Sequence, residues 1–149
     1  MKTISLWQPH AAAIARHLKT IETRHWSPPE KYIGVTIAIH AARRKIRPSE
    51  LQEFQHDMAA WDWLLCPGVV QQLPYGALIA TCKIERVLPT NDPVLIKLAF
   101  DQDQLPFGNF GPQRFGWILS DVKALATPVP FKGRQGWFDV PDELLLEVA

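Results

Sequence analysis

Cysteine is scarce in this chain: Cys66 and Cys82 are the only two, and neither belongs to a C-x-x-C pair. That scarcity predicts reduced thiols with structural roles in a cytoplasmic protein. His, Cys and acidic residues never fall at metal-ligand spacing, so neither a metal nor any other cofactor is expected. No apolar run approaches the roughly 20 residues of a membrane span. Met1-Lys2 leads into a strand-like run rather than a signal segment, and no membrane partner is expected. An excess of one charge is also missing. Sixteen basic residues face fifteen acidic ones, for a net charge of +1, which excludes a bulk electrostatic grip on many phosphates. Any nucleic-acid contact must therefore come from a local patch. Repeats, low-complexity tracts and linkers are absent, so residues 1–149 read as one domain.

Hydrophobic residues make up 47% of the chain, an ordinary globular share. Thr3 to Leu6 reads as a strand, and Trp7-Gln8-Pro9 turns the chain into a helix from His10 to Leu18 with Ala11, Ile14 and Leu18 on one face. Thr20 to Arg24 reads as a strand whose alternation puts Thr20, Glu22 and Arg24 on one side and Ile21 and Thr23 on the other. Gly34 to His40 is a β-branched apolar run, again a strand. A second helix is predicted from Pro48 to about Ala60, followed by an apolar knot of Trp61, Trp63, Leu64 and Leu65. Strands are predicted at Ala77 to Val87, Arg114 to Val122, Pro128 to Phe131 and Gln135 to Phe138, with a final helix from Pro141 to Val148. Val94 to Phe100 fits a helical turn or an irregular crossing. These elements imply an α+β fold, a small mixed β-barrel with helices covering its openings, with a flat α/β sandwich as the competing architecture.

Chemistry concentrates in Lys19-Thr20-Ile21-Glu22-Thr23-Arg24. Three charges so close, flanked by apolar segments, need each other or a ligand as partner. A short helix brings this segment back toward Trp7 and Gln8. An aromatic face, an amide and mixed charges suit a planar polar ligand such as a nucleobase, which is held by stacking and edge hydrogen bonds. An ordinary Glu22–Arg24 ion pair with Trp7 in the core is the structural alternative. Two further groups stand out. Arg43, Arg44 and Lys45 follow His40 as a basic corner, read either as a phosphate contact or as a solvated turn. Lys132-Gly133-Arg134-Gln135-Gly136 is a glycine-flanked basic loop, read either as a ligand contact or as a tight turn.

Ser5-Leu6-Trp7-Gln8-Pro9, Lys19-Thr20-Ile21-Glu22-Thr23-Arg24 and Ile37-Ala38-Ile39-His40-Ala41-Ala42 resemble the ASCH domain family in order and spacing. Phe107-Gly108-Asn109-Phe110 and Lys132-Gly133-Arg134-Gln135-Gly136 look like the closing segments of a long-form subgroup. The family pattern is G-x-K-x-x-E-x-R, and this chain carries His17 at the glycine. The resemblance implies a PUA-like β-barrel whose cleft is lined by Lys19, Glu22 and Arg24, and a partner that is RNA or a nucleotide-like small molecule. Trp7, Gln8 and His40 would join them as ligand contacts, with Arg43, Arg44, Lys45, Lys132 and Arg134 reaching nucleic acid. Some small ASCH proteins are amidohydrolases acting on N4-acetylcytidine. They look to use the motif lysine, a threonine where this chain has Glu22, and a later glutamate, here Glu85. If this chain is a hydrolase, Lys19, Glu22 and Glu85 are its catalytic candidates. A third reading is an adaptor that presents Trp61 and Trp63 to a protein partner.

Overall fold

The computed structural model describes residues 1–146, and the distal part of the helix predicted for 141–148 lies outside them. Six strands form one sheet: β1 (Lys2–Leu6), β2 (Ile21–Arg24), β3 (Thr36–Ala41), β4 (Ala77–Pro89), β5 (Phe115–Pro130) and β6 (Phe138–Asp139), in the order β2-β5-β4-β3-β1-β6. Among these six strands β1 and β3 pair in parallel, and the other four pairings are antiparallel. The helices are α1 (His10–Ala15), α2 (Pro48–Gln55), α3 (Met58–Leu65), α4 (Val69–Gln72) and α5 (Pro93–Asp101). No helix is long and apolar enough to cross a membrane among the described residues.

The sheet curls around an apolar core. Alternate residues of β1, β3, β4 and β5, among them Ile4, Leu6, Ile37, Ile39, Ile79, Trp117 and Leu119, share one buried cluster with Ala11 and Ile14 of α1. Phe115, next to Trp117 and Leu119 on the same face of β5, packs against it. Aromatic rings bind distant edges together: Trp117 stacks on Trp137 at 6.0 Å, and Trp26 meets Trp117 edge-on at 5.1 Å. Outside the sheet, α5 packs Leu95 and Ala99 against Ile21 and Leu88. Trp61, Leu64 and Phe107 join Ala12 and Ala13 in a second cluster.

Several boundaries differ from the sequence reading. The first helix stops at Ala15, because His17 adopts φ 61 and ends it. The Leu18 N–H reaches the Ala13 carbonyl and the His17 N–H the Ile14 carbonyl, the paired bonds that close a helix through a left-handed residue. His17 thus takes the conformation that a glycine would adopt most readily. The second helix breaks at His56–Asp57, where Asp57 leaves helical geometry (φ −131, ψ 73), and the apolar residues Trp61, Trp63, Leu64 and Leu65 fall within α3. Pro93–Asp101 is a helix, with Asp92 accepting from the Val94 N–H at its start. The strands predicted at 114–122 and 128–131 are one continuous β5, its register to β4 slipping three times, and the closing strand is only Phe138–Asp139. At the C-terminal end the described residues form a short 3-10 turn, Asp142–Leu145. Of the two free cysteines, Cys82 is core, its thiol pushed up to about 12 by burial, whereas Cys66 is exposed rather than structural.

Candidate functional site

Alternation along β2 decides where its charges go. Ile21 joins the outer cluster with α5, so Glu22 and Arg24 project inward, opposite Trp117 and Phe115 of β5. Thr20 does not join them. It lies before the strand, its hydroxyl donating to the Gln102 Oε1 at 2.8 Å. Lys19 is aimed from both sides by Gln104, whose amide donates to the Leu18 carbonyl (3.0 Å) and accepts from the Thr20 N–H (2.8 Å). Between these anchors the Lys19 side chain runs into the protein and is 2% exposed.

The Lys19 Nζ lies 3.0 Å from Glu22 Oε1 and donates to His10 Nδ1 at 3.1 Å. Glu22 Oε1 also accepts from the Thr23 N–H at 3.0 Å, and Oε2 faces Arg24 Nε at 3.5 Å. Arg24 donates to the Ser5 carbonyl at 3.2 Å and lies over the rings of Trp26 and Trp117 at 5.6 and 5.9 Å. Burial opposes ionisation of Glu22, but the Lys19 and Arg24 cations beside it outweigh burial and hold its carboxyl below the usual range. For Lys19 the balance is reversed: burial lowers the amine's pKa despite the Glu22 carboxylate. His10 is lowered to about 3, first by burial and then by the Lys19 charge, so its imidazole is neutral and Nδ1 is an acceptor.

These four residues lie in an open cleft of about 860 Å³. Thr23, His25, Asn109 and Arg114 line one side, and Glu53, Phe54 and Asp57, from α2 and the turn after it, also line it. Trp7 is 58% exposed and lines the cleft. The Arg44 guanidinium sits 3.8 Å from the Trp7 ring centre and is paired with the Glu50 carboxylate through two nitrogens. One face of Trp7 is thereby braced, and the Arg44 charge is matched by Glu50.

Other residues singled out from sequence fall elsewhere. Gln8 is 1% exposed: its amide donates to the Pro74 carbonyl and accepts from the Ala12 N–H, so it caps α1 and cannot read a base edge. His40 does not line the cleft. It shares the face of Ala38, against Phe138, and is 1% exposed between the Ser5 hydroxyl (2.9 Å) and the Phe131 carbonyl (2.7 Å). Glu85 is exposed on β4 and outside the cleft lining, which removes it as a partner for Lys19. Arg43 and Lys45 are exposed, Lys45 lying over Tyr75 at 3.9 Å. Lys132 and Arg134 are exposed on a loop that packs Gly133 against His40, and neither lines the cleft. Trp61 is 1% exposed, its indole donating to the Pro106 carbonyl, so it cannot be presented to a protein partner.

Sequence reasoning missed His10, His25, Asn109 and Arg114. His10 had one usable signal, its place three residues after Trp7 at the start of a helix that returns to Lys19. Asn109 lay in the Phe107-Gly108-Asn109-Phe110 segment singled out by resemblance but was given no role, and Arg114 had no signal, since both reach the cleft through long-range bonds to Thr23.

No protein-family model matches the chain, and no curated protein does. Solved structures do. ASCH from Zymomonas mobilis matches with a TM-score of 0.58 at 17% identity, covering 98% of this chain and 91% of that one. A serine-to-alanine variant of the same protein gives 0.57 at 17% identity over 97% and 91%, and a tyrosine-to-phenylalanine variant gives 0.53 at 17% identity over 97% and 93%. The chain therefore has the ASCH fold, an α+β architecture, over nearly its whole length.

Proposed function

We propose that the cleft binds RNA or a nucleotide-like small molecule, with a base stacked on the free face of Trp7 and polar groups held by Lys19 and Arg24. The observation that carries this is an exposed, braced indole lining the same cleft as a buried Lys19–Glu22 pair and the half-buried Arg24. The cleft volume of about 860 Å³ suits a ligand of nucleotide size. Glu22 serves as organiser: both of its oxygens face protein partners, so it keeps the two cations in place. The Lys19 ammonium has three protons and commits two of them, leaving one donor for a ligand oxygen. The backbone of a longer RNA would run over Arg43 and Lys45, the exposed residues flanking Arg44.

Calorimetric titration with a panel of modified nucleosides and short RNAs tests this reading. Trp7→Ala should lower affinity by about ten- to a hundredfold, the usual value of one stacked base. Unchanged affinity in that variant would remove Trp7 as the platform, and no binding anywhere in the panel would remove the function.

One observation favours a second reading, amide hydrolysis of an acylated nucleoside. The Lys19 side chain is 2% exposed, and this burial lowers its pKa, the direction a general base requires. Lys19 would take a proton from water as its oxygen bonds to the acyl carbon. Arg24 would hold the oxyanion, and the C–N bond would then break as the proton passes to the leaving nitrogen. Release of acetate from N4-acetylcytidine by the wild type, abolished in Lys19→Met, is the expected result. No release by the wild type ends this reading.

A further inference from the structure

The charges lining the cleft are unevenly matched. Lys19 and Arg24 share one carboxylate, Glu22. Arg114 has none among the described ion pairs. Its Nε donates to the Asn109 carbonyl at 2.9 Å and one terminal nitrogen to the Thr23 carbonyl at 3.2 Å, which fixes the guanidinium and leaves its charge uncompensated. Asn109 is fixed as well. Its N–H donates to Thr23 Oγ1 and its Oδ1 accepts from the Gly111 N–H, while its amide NH2 makes no hydrogen bond among the described residues. Glycine at 108 permits this approach, because a Cβ there would stand 2.8 Å from Thr23 Oγ1. His25 is exposed and lines the same cleft. Glu53 and Asp57, which also line it, have no ion-pair partner among the described residues.

We infer that Arg114, Asn109 and His25 form a phosphate subsite, and that the ligand of the cleft is a phosphorylated nucleoside rather than a neutral one. This rests on the nucleotide-like reading above. A guanidinium already oriented by two carbonyls loses little freedom on binding and presents its remaining N–H groups to a phosphate oxygen. Asn109 adds a neutral donor and His25 a third contact. Glu53 and Asp57 repel a phosphate placed beside them and accept hydrogen bonds from ribose hydroxyls, so the charges fix the ligand's direction in the cleft. The basic corner near Trp7 is a poorer phosphate site, because the Arg44 charge is matched by Glu50.

The experiment compares cytidine, cytidine 5′-monophosphate and inorganic phosphate by calorimetry on wild type, Arg114→Gln and His25→Ala. The wild type should bind the monophosphate at least about tenfold more tightly than the nucleoside, as a charge-assisted contact is worth. That preference should fall to about threefold or less in Arg114→Gln and weaken in His25→Ala, while cytidine affinity stays the same. Inorganic phosphate should compete with the monophosphate but not with cytidine. His25 is exposed and makes none of the hydrogen bonds described, so its variant reports on the subsite even if Arg114→Gln loosens the loop. Equal affinity for nucleoside and monophosphate in the wild type overturns the phosphate subsite and leaves the proposed function standing. A preference that survives both substitutions also overturns it. Absence of binding by all three ligands also overturns the phosphate subsite, and the proposed function falls with it only if the panel of modified nucleosides and short RNAs fails to bind as well.

Discussion

His10 and His40 are both held neutral by burial, yet their surroundings differ in kind. His40 has two neutral partners, a hydroxyl and a carbonyl, that satisfy both ring nitrogens at 2.9 and 2.7 Å. It joins β1, β3 and the end of β5 and leaves nothing over for a ligand. His10 meets a cation: its Nδ1 accepts from Lys19, its ring lies edge-on to Phe54 and Trp61, and the group lines an open cleft. A fully satisfied polar group specifies packing. A cluster of unequal charges with donors left over specifies a site.

The largest test of this contrast is Glu22→Leu. It strands Lys19 and Arg24 without their carboxylate, and breaking such a pair costs about 3–5 kcal/mol. Urea unfolding should show that loss, and a loss below about 1 kcal/mol would show that Lys19 is satisfied without Glu22. At the other region, Gly133→Ala places a Cβ 2.5 Å from His40 Cε1 and should cost about 1–3 kcal/mol. Ligand affinity should not change; if it did, the His40 network would be coupled to the cleft.

A further test is pH dependence. The His10 pKa lies near 3 in the folded protein against 6.5 for the free side chain, so below pH 6.5 the unfolded chain takes up a proton that the native state refuses. Stability therefore falls as pH drops from about 6.5 toward 3, and His40, also lowered by burial, adds to the slope. Melting temperatures across this range should fall less steeply in His10→Asn than in wild type. An unchanged slope would show that His10 is not held neutral.

Much of this architecture could be read locally. Glu22 and Arg24 share a face because strand side chains alternate, and Lys19 joins them from the segment just before β2. The core faces of β3 and β5 follow from the same period. Gln8 and His40 were misassigned because polar residues near a motif look like ligand contacts until their partners are known. Those partners, the Pro74 and Phe131 carbonyls, are 66 and 91 residues away in the chain. Glu85 fails for the related reason that its position on β4 faces solvent.

What the sequence fixes here is local: the charge content of residues 19–24, the period of each strand, and a left-handed helix end that even His17 can supply. The choice of His10 over His40, the burial of Lys19 under Gln104 and the arrival of Arg114 beside Thr23 came from folding. Each depends on segments far apart in the chain meeting across the sheet. Burial then sets the charges: it lowers the amine of Lys19, while neighbouring cations keep Glu22 ionised.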